Sequence, residues 1–563
     1  EALDWLVIGV FFLALIGIIV WVVRQKQNDS ADYFLGGRDA TWLAIGASIF
    51  ASNIGSEHLI GLAGAGASSG MAMAHWEIQG WMILILGWVF VPFYTRSMVY
   101  TMPEFLERRY NPQSRTILSV ISLVSYVLTK VAVTVYAGGL VFQQVFGIKE
   151  LWGIDFFWIA AIGLVVLTAL YTIFGGMKSV LYTSVLQTPI LLLGSLIILV
   201  LGFKELGGWD EMMRVCGAVT VNDYGDTMTN LIRSNDDANF PWLGALIGSA
   251  IIGFWYWCTD QFIVQRVLSG KNEMEARRGT IFGAYLKLLP VFLFLIPGMI
   301  AFALHQKYIG AGGEGFLPML ANGTANADAA FPTLVAKLLP AGVKGLVVCG
   351  ILAALMSSLA SLFNSSAMLF TIDFYKRFRP ETPEKKLVGI GQVATVVIVI
   401  LGILWIPIMR SVGDVLYTYL QDVQSVLAPG IAAAFLLGIC WKRTSAQGGM
   451  WGLIAGMVIG LTRLGAKVYY SNAGEVADST FKYLFYDMNW LFFCGWMFLF
   501  CIIVVIVVSL ATKAPTAEKI QGLVFGTATK EQKAATRASW NHWDIIHTVI
   551  ILAITGAFYW YFW

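Results

Sequence analysis

Ala51-Ser-Asn-Ile-Gly-Ser-Glu-His58 interrupts one strongly apolar stretch of this chain, and Gly253-Phe-Trp-Tyr-Trp-Cys-Thr-Asp260 interrupts another about two hundred residues later. Polar and glycine residues inside a membrane-length apolar run mark a discontinuous helix, whose freed backbone groups are tolerated only where they line a cavity. Two such breaks at corresponding places in the two halves of a sequence point to the binding site of a transporter.

Composition supplies the membrane. Hydrophobic residues make up 58% of the 563 and charged residues 13%, with a net charge of +3, outside the range of soluble globular domains. Apolar spans long enough to cross ~30 Å as helices are expected at 3–23, 42–66, 73–97, 118–145, 156–174, 180–202, 242–268, 280–304, 345–373, 388–409, 415–440, 448–466, 489–511 and 545–563. The expectation is an all-α membrane protein of fourteen transmembrane helices. Connections after odd-numbered spans hold 24 of the 37 Lys and Arg residues, so they are read as cytoplasmic and both termini as extracytoplasmic. Residues 3–23 have no basic lead and are read as a retained helix, not a cleaved signal. The sided charge gives no reason to invoke nucleic acid as a partner.

The six cysteines form neither a disulfide framework nor a metal-ligand spacing, and the absence of long cysteine-bearing outer loops favours a bacterial inner membrane. Outer loops are expected at 203–241 and 305–344. The polar inner segment 512–544 reads as a tether carrying a short amphipathic helix.

Ionisable residues inside a membrane are functional-site candidates by default. Here they are Glu57 and His58 after the first break, Glu77, Lys130, Asp260 and Arg266 after the second break, Lys287, and Asp422 beside Gln421. Such a balanced mixture of acids, bases and amides suits a neutral, polyhydroxylated ligand whose hydroxyls both donate and accept; a sugar is the natural candidate. A carboxylate only accepts and a lysine only donates, so Glu77 and Lys287 can orient opposite ends of a hydroxyl. Trp255, Tyr256 and Trp257 offer aromatic faces to a ring. The bland readings are that Glu57, Asp260 and Arg266 form structural ion pairs or reach the cytoplasmic interface, that Lys130 is structural, and that Trp255 and Trp257 are lipid-facing or core aromatics, of which interfacial belts use many. No nucleophile and base pair or other catalytic constellation emerges, so the chain is not read as an enzyme.

An alkali ion needs several oxygens and no particular acid, and an unwound turn frees carbonyls that hydroxyls can supplement. Ser357, Ser361 and Ser365, with Ser358 beside them, place such hydroxyls on one face of the ninth span. Small residues at that spacing are also ordinary close-packing devices.

These residues match a family. Asp32-Tyr-Phe-Leu-Gly-Gly-Arg38, Gly46-Ala-Ser-Ile-Phe-Ala-Ser-Asn-Ile-Gly55, Thr101-Met-Pro-Glu-Phe-Leu106, Tyr256-Trp-Cys-Thr-Asp-Gln261 with Gln265-Arg266, Ser357-Ser-Leu-Ala-Ser361 and Ala428-Pro-Gly430 resemble the sodium/solute symporters, and within them the sodium/glucose and sodium/galactose cotransporters. The resemblance implies a LeuT-like five-plus-five inverted-repeat core with broken first and sixth core helices. It divides the chain into a leading helix and loop (1–41), a first repeat (42–202), an outer loop (203–241), a second repeat (242–440) and C-terminal helices (441–563). It also implies sugar contacts at Asn53, His58, Glu77, Tyr256, Trp257, Lys287 and Gln421. Gates are implied at Leu62, Trp76 and Tyr417 outside and at Tyr256 inside. The implied sodium site uses the carbonyls of Ala51, Ile54 and Ala354 and the hydroxyls of Ser357 and Ser358. Sodium is then the coupling ion, with no other cofactor.

The chain departs from that pattern at Ser184, where many members carry aspartate, and at Ala360, which lacks a neighbouring hydroxyl; both imply one sodium per sugar. Gly80 and Gly253 remove polar groups that bacterial galactose carriers place in the pocket. The expected activity is sodium-coupled symport of a hexose, glucose or galactose. The alternatives are a same-fold symporter of myo-inositol or another organic solute, and a sugar-gated sensor or channel.

Overall fold

The structure is a computed structural model. It describes the chain except residues 1, 56, 321–322, 412–415 and 473–476, and leaves out the side chains of 128, 129, 140, 144, 406, 408–411, 416–422, 471 and 472. Among the described residues, 11 helices are long and apolar enough to cross a membrane, and Trp42–Asn53 and Ala132–Gln143 are shorter apolar helices. The only paired strands described are two residues each, Glu150–Leu151 against Ile154–Asp155.

The expected spans 156–174 and 180–202 lie in one run, Phe156–Leu206, of 51 residues. At 1.5 Å per residue a straight helix of that length would reach about 77 Å, far beyond a bilayer. Gly176, at φ 55 and ψ −148, breaks it, a conformation open only to glycine. Ser179 Oγ then donates to Tyr171 O at 3.0 Å across the bend, and the Tyr33 carbonyl seats against the bare Gly176 Cα. This bent run packs along Val343–Met368, while Trp42–Asn53 packs along Glu273–Lys287. Four elements from different parts of the chain thereby surround the two interruptions.

The first interruption follows the sequence reading. Trp42–Asn53 ends at Ile54, whose φ of −79 and ψ of 112 are extended, and a wide π-type turn, Glu57–Leu62, follows. In the second, Trp242–Gly253 runs into a π-type turn, Phe254–Thr259, and extended backbone comes only at Asp260, φ −79 and ψ 128. The Asp260 side chain caps the helix Gln261–Leu268. A third interruption was not expected: within the span 73–97, Ile78 and Gln79 leave the helix with ψ near 30 and 25.

Segment 512–544 does carry an amphipathic helix, Lys530–Ala538, opened by a reciprocal cap between Thr529 and Gln532. It is a docked strap, not a loose tether. Arg96 donates to Thr536 Oγ1 at 2.7 Å, Arg277 to Ser539 Oγ at 2.5 Å, and Phe525 N–H to Ile439 O at 2.9 Å. On the other face the loop after residue 217 is pinned down by Met71 N–H to Met228 O at 2.8 Å and by Leu231 N–H to Phe562 O at 2.9 Å.

Candidate functional site

Where the interruptions converge, Asn53, His58, Leu62, Trp76, Glu77, Tyr256, Trp257 and Lys287 line one cavity of about 70 Å³. Small-molecule sites usually enclose ~300–1,000 Å³, so the described walls stand closer than a bound solute requires and must part to admit one. Gln421 and Tyr417 lie outside the described side chains. Six of the seven expected solute contacts, and all the expected gates except Tyr417, are therefore neighbours in space.

Glu77 organises the polar wall. Lys287 Nζ donates to its Oε2 at 2.5 Å, and His58 Nε2 lies 3.2 Å from the same oxygen. The tautomer with its proton on Nε2 donates there and leaves Nδ1 to accept from Gly55 N–H at 3.5 Å. Asn53 Nδ2 stands 3.5 Å from the imidazole. All four side chains are buried. An acid, a cation and an imidazole thus meet with their charges paired, as buried ions require. Lys287 also lies 5.4 Å from the Trp257 ring centroid. Trp76, which lines the cavity, stacks on Trp490 at 5.5 Å.

Five further lining residues complete the wall: Glu57, Gln79, Ile252, Gly253 and Gln424. Glu57 was legible as an intramembrane acid, although read as an ion-pair member. Gln79 escaped because residues two apart diverge on a regular helix; the break at Ile78 brings Glu77 and Gln79 to the same cavity. Its seat explains Gly253, since a Cβ there would lie 2.6 Å from Gln79 Oε1. The polar group absent at position 253 is supplied from the facing segment. Gln424, one helical turn from Gln421, carried a periodicity signal that was not used.

A second buried cluster lies behind Tyr256. Lys130 Nζ donates to Asp260 Oδ2 at 2.8 Å, and Tyr126 donates its hydroxyl to Oδ1. The ammonium also lies 4.9 Å from the Tyr126 ring, 5.3 Å from Trp255, 5.0 Å from Tyr256 and 5.0 Å from Phe262. The structural reading of Lys130 and Asp260 thus takes a specific form: the pair fixes the second interruption, and its cation faces Tyr256. No carboxylate among the described residues pairs with Arg266; its Nη1 donates to Phe262 O.

The expected cation cage falls where the first interruption meets Val343–Met368. A Cβ on Gly55, next to Ile54, would stand 3.2 Å from Ser358 Oγ. Ser52 and Ser361 share a hydrogen bond of 2.5 Å, Ser361 donates to Ser357 O at 2.8 Å, and Ser357 Oγ lies 3.5 Å from Ser184 Oγ. Ala51 and Ala354 are buried in the same two helices. An extended residue beside hydroxyls in a dry setting offers the neutral oxygens that a monovalent cation takes, and among the described residues no group of three or more His, Cys, Asp or Glu competes as a transition-metal site.

Interrupted membrane helices around a polar midcore cavity define a multi-pass helical transporter. The family model described as the sodium:solute symporter family matches residues 33–456. Human sodium/myo-inositol cotransporter 2 is 36% identical over 538 residues, spanning 93% of this chain and 79% of the relative. Zebrafish (Danio rerio) sodium/glucose cotransporter 4 is 36% identical over 536 residues, spanning 92% and 80%. A solved substrate-bound, outward-open state of a sodium-coupled sialic acid symporter shares the fold with a TM-score of 0.73 at 22% identity, over 91% of this chain and 98% of that one. The chain belongs to the sodium:solute symporter family. It is a sodium-coupled solute symporter and not an enzyme, with sodium as its coupling ion.

Proposed function

We propose that the chain moves a neutral polyol inward with one sodium ion, the solute being a hexose such as glucose or galactose. The observation that carries this reading is Glu77 accepting from both Lys287 and His58 in a cavity that also holds amides and an indole face. A hydroxylated ring entering there exchanges hydrogen bonds with groups already paired, so neither charge is stranded. A carboxylate solute fits worse, because Glu77 opposes it. The cyclitol myo-inositol meets the same demands, and the sodium/myo-inositol cotransporter likeness favours it as the second reading.

In this reading Asn53, His58, Glu77, Tyr256, Trp257, Lys287 and Gln421 contact the solute. Leu62, Trp76 and Tyr417 gate the outside and Tyr256 the inside. Ala51, Ile54, Ala354, Ser357 and Ser358 hold sodium, and its binding fixes the first interruption against the serine-bearing helix. Fourteen spans, ten in a five-plus-five core with one before it and three after, are supported by dividing Phe156–Leu206 at Gly176 and adding the two shorter apolar helices. The repeats are 42–202 and 242–440, the loop 203–241 separates them, and residues 1–41 and 441–563 flank them. Both termini face outward from a bacterial inner membrane, as the basic connections favour.

Proteoliposome uptake under an imposed sodium gradient, with glucose, galactose and myo-inositol compared, tests the reading; no accumulation of any of them overturns it. Ser358→Ala is expected to abolish sodium-dependent uptake while slow exchange persists, and an unchanged sodium dependence removes that hydroxyl from the cage. Charge moved per solute is expected near ~1, because each charge crossing the membrane carries a fixed increment of energy; a ratio near two refutes the inference from Ser184.

A further inference from the structure

A second and larger cavity, about 480 Å³, opens away from the transport site. Three helices begin around it: Trp42–Asn53, Glu273–Lys287 and His542–Tyr561. Their leading connections lie side by side, since Ala40 N–H donates to Ser269 O and Lys271 N–H to Ala40 O, each at 3.0 Å, and Trp42 N–H donates to Glu275 at 2.6 Å. The cavity therefore sits where spans give way to polar connections, at the level of the membrane–water boundary. Trp42 is 42% exposed and Trp543 57% exposed, the amphipathic side chains that occupy headgroup depth.

The walls divide by chemistry. Ile281 and Phe282, with Trp42 edge-on to Phe282 at 5.3 Å, make an apolar side. Arg278 makes the polar side. Its Nε donates to Asp544 Oδ1 at 3.1 Å, which fixes the guanidinium, and no described residue accepts from its two terminal nitrogens. Tyr285 and His547 are bonded to each other at 2.8 Å and form the rim. We propose that this cavity binds a membrane phospholipid, its phosphodiester on the terminal nitrogens of Arg278 and an acyl chain along Trp42, Ile281 and Phe282. A planar guanidinium held from one edge matches two phosphate oxygens, and the apolar wall continues into the hydrocarbon.

The occupant touches helices that carry solute and sodium residues further along, Lys287 on one and Ala51 on another. The site is absent from the expectations above because its residues are spread over three distant stretches and each alone reads as an interfacial aromatic or a topology-setting arginine.

The full-length protein, delipidated in mild detergent and titrated with palmitoyl-oleoyl phosphatidylethanolamine, is the test, with bound lipid counted by native mass spectrometry. Arg278→Gln and Phe282→Trp remove the headgroup contact and fill the apolar side separately, and each is expected to lower the tightly held lipid fraction at least fivefold, with Arg278→Lys recovering part of it. Equal retention in both variants overturns the proposal. A loss only in Phe282→Trp overturns it in favour of an amphiphile without phosphate, such as a sterol. A loss only in Arg278→Gln places the acyl chain outside the cavity, and displacement by inorganic phosphate alone makes it a free-anion site; both overturn it. Unchanged melting of Phe282→Trp keeps the comparison interpretable if Arg278→Gln misfolds.

Discussion

Glu77→Ala is expected to abolish solute uptake and to lower the yield of folded protein. The variant leaves the Lys287 ammonium buried without its carboxylate, and stranding one member of a buried pair costs about 3–5 kcal/mol. His58 loses its acceptor at the same time. Glu77→Gln separates the two effects: its shape keeps the wall in place and its amide oxygen still accepts from Lys287, but the charge-assisted bond becomes an ordinary one. A weakening of roughly 1–2 kcal/mol translates to about a fivefold to thirtyfold rise in the half-saturating solute concentration. Uptake in proteoliposomes and thermal unfolding measured together check this. Full solute affinity in Glu77→Gln would move the binding wall elsewhere.

The second large effect is expected behind Tyr256. Asp260→Ala leaves Lys130 to the four surrounding rings, which offset part of the lost attraction, since a desolvated cation–π contact contributes about 2 kcal/mol. The remaining penalty is destabilising, and the freed ammonium no longer fixes the second interruption. The expected outcome is a lower unfolding temperature together with solute efflux that no longer waits for sodium, because the ring of Tyr256 loses its backing. Lys130→Met combined with Asp260→Ala removes both charges and should regain most of the stability but not the tight coupling. A double-mutant cycle gives the pair energy; simple additivity of the two changes would show that the pair does not act as a unit.

The two outer interruptions were readable because polar and glycine residues inside an apolar run have one physical explanation. Lys287 and Glu77 were readable because a buried charge must be paired, although nothing in their 210-residue separation said that they pair with each other. The third interruption was hidden. Ile78 and Gln79 are unremarkable in composition, and only packing against the segment that bears Gly253 makes the chain leave the helix there. Lys130 was read as structural and does pair with Asp260, but three of the four rings around it come from one distant stretch, 255–262, brought to it by folding. The strap 512–544 looked like a tether because its partners, Arg96 and Arg277 among them, lie far off in sequence and the arginines read as topology signals.

The last helix reaches both faces of the molecule. Phe562 accepts from the loop at Leu231, and at the other end Asp544 receives Arg278 beside the docked strap. Its 20 residues form a column of about 30 Å, and it lies wholly beyond residue 456, where the match to the family model ends. A pillar pinned at floor and ceiling holds the height of the assembly constant, so its neighbours tilt about it and cannot slide past.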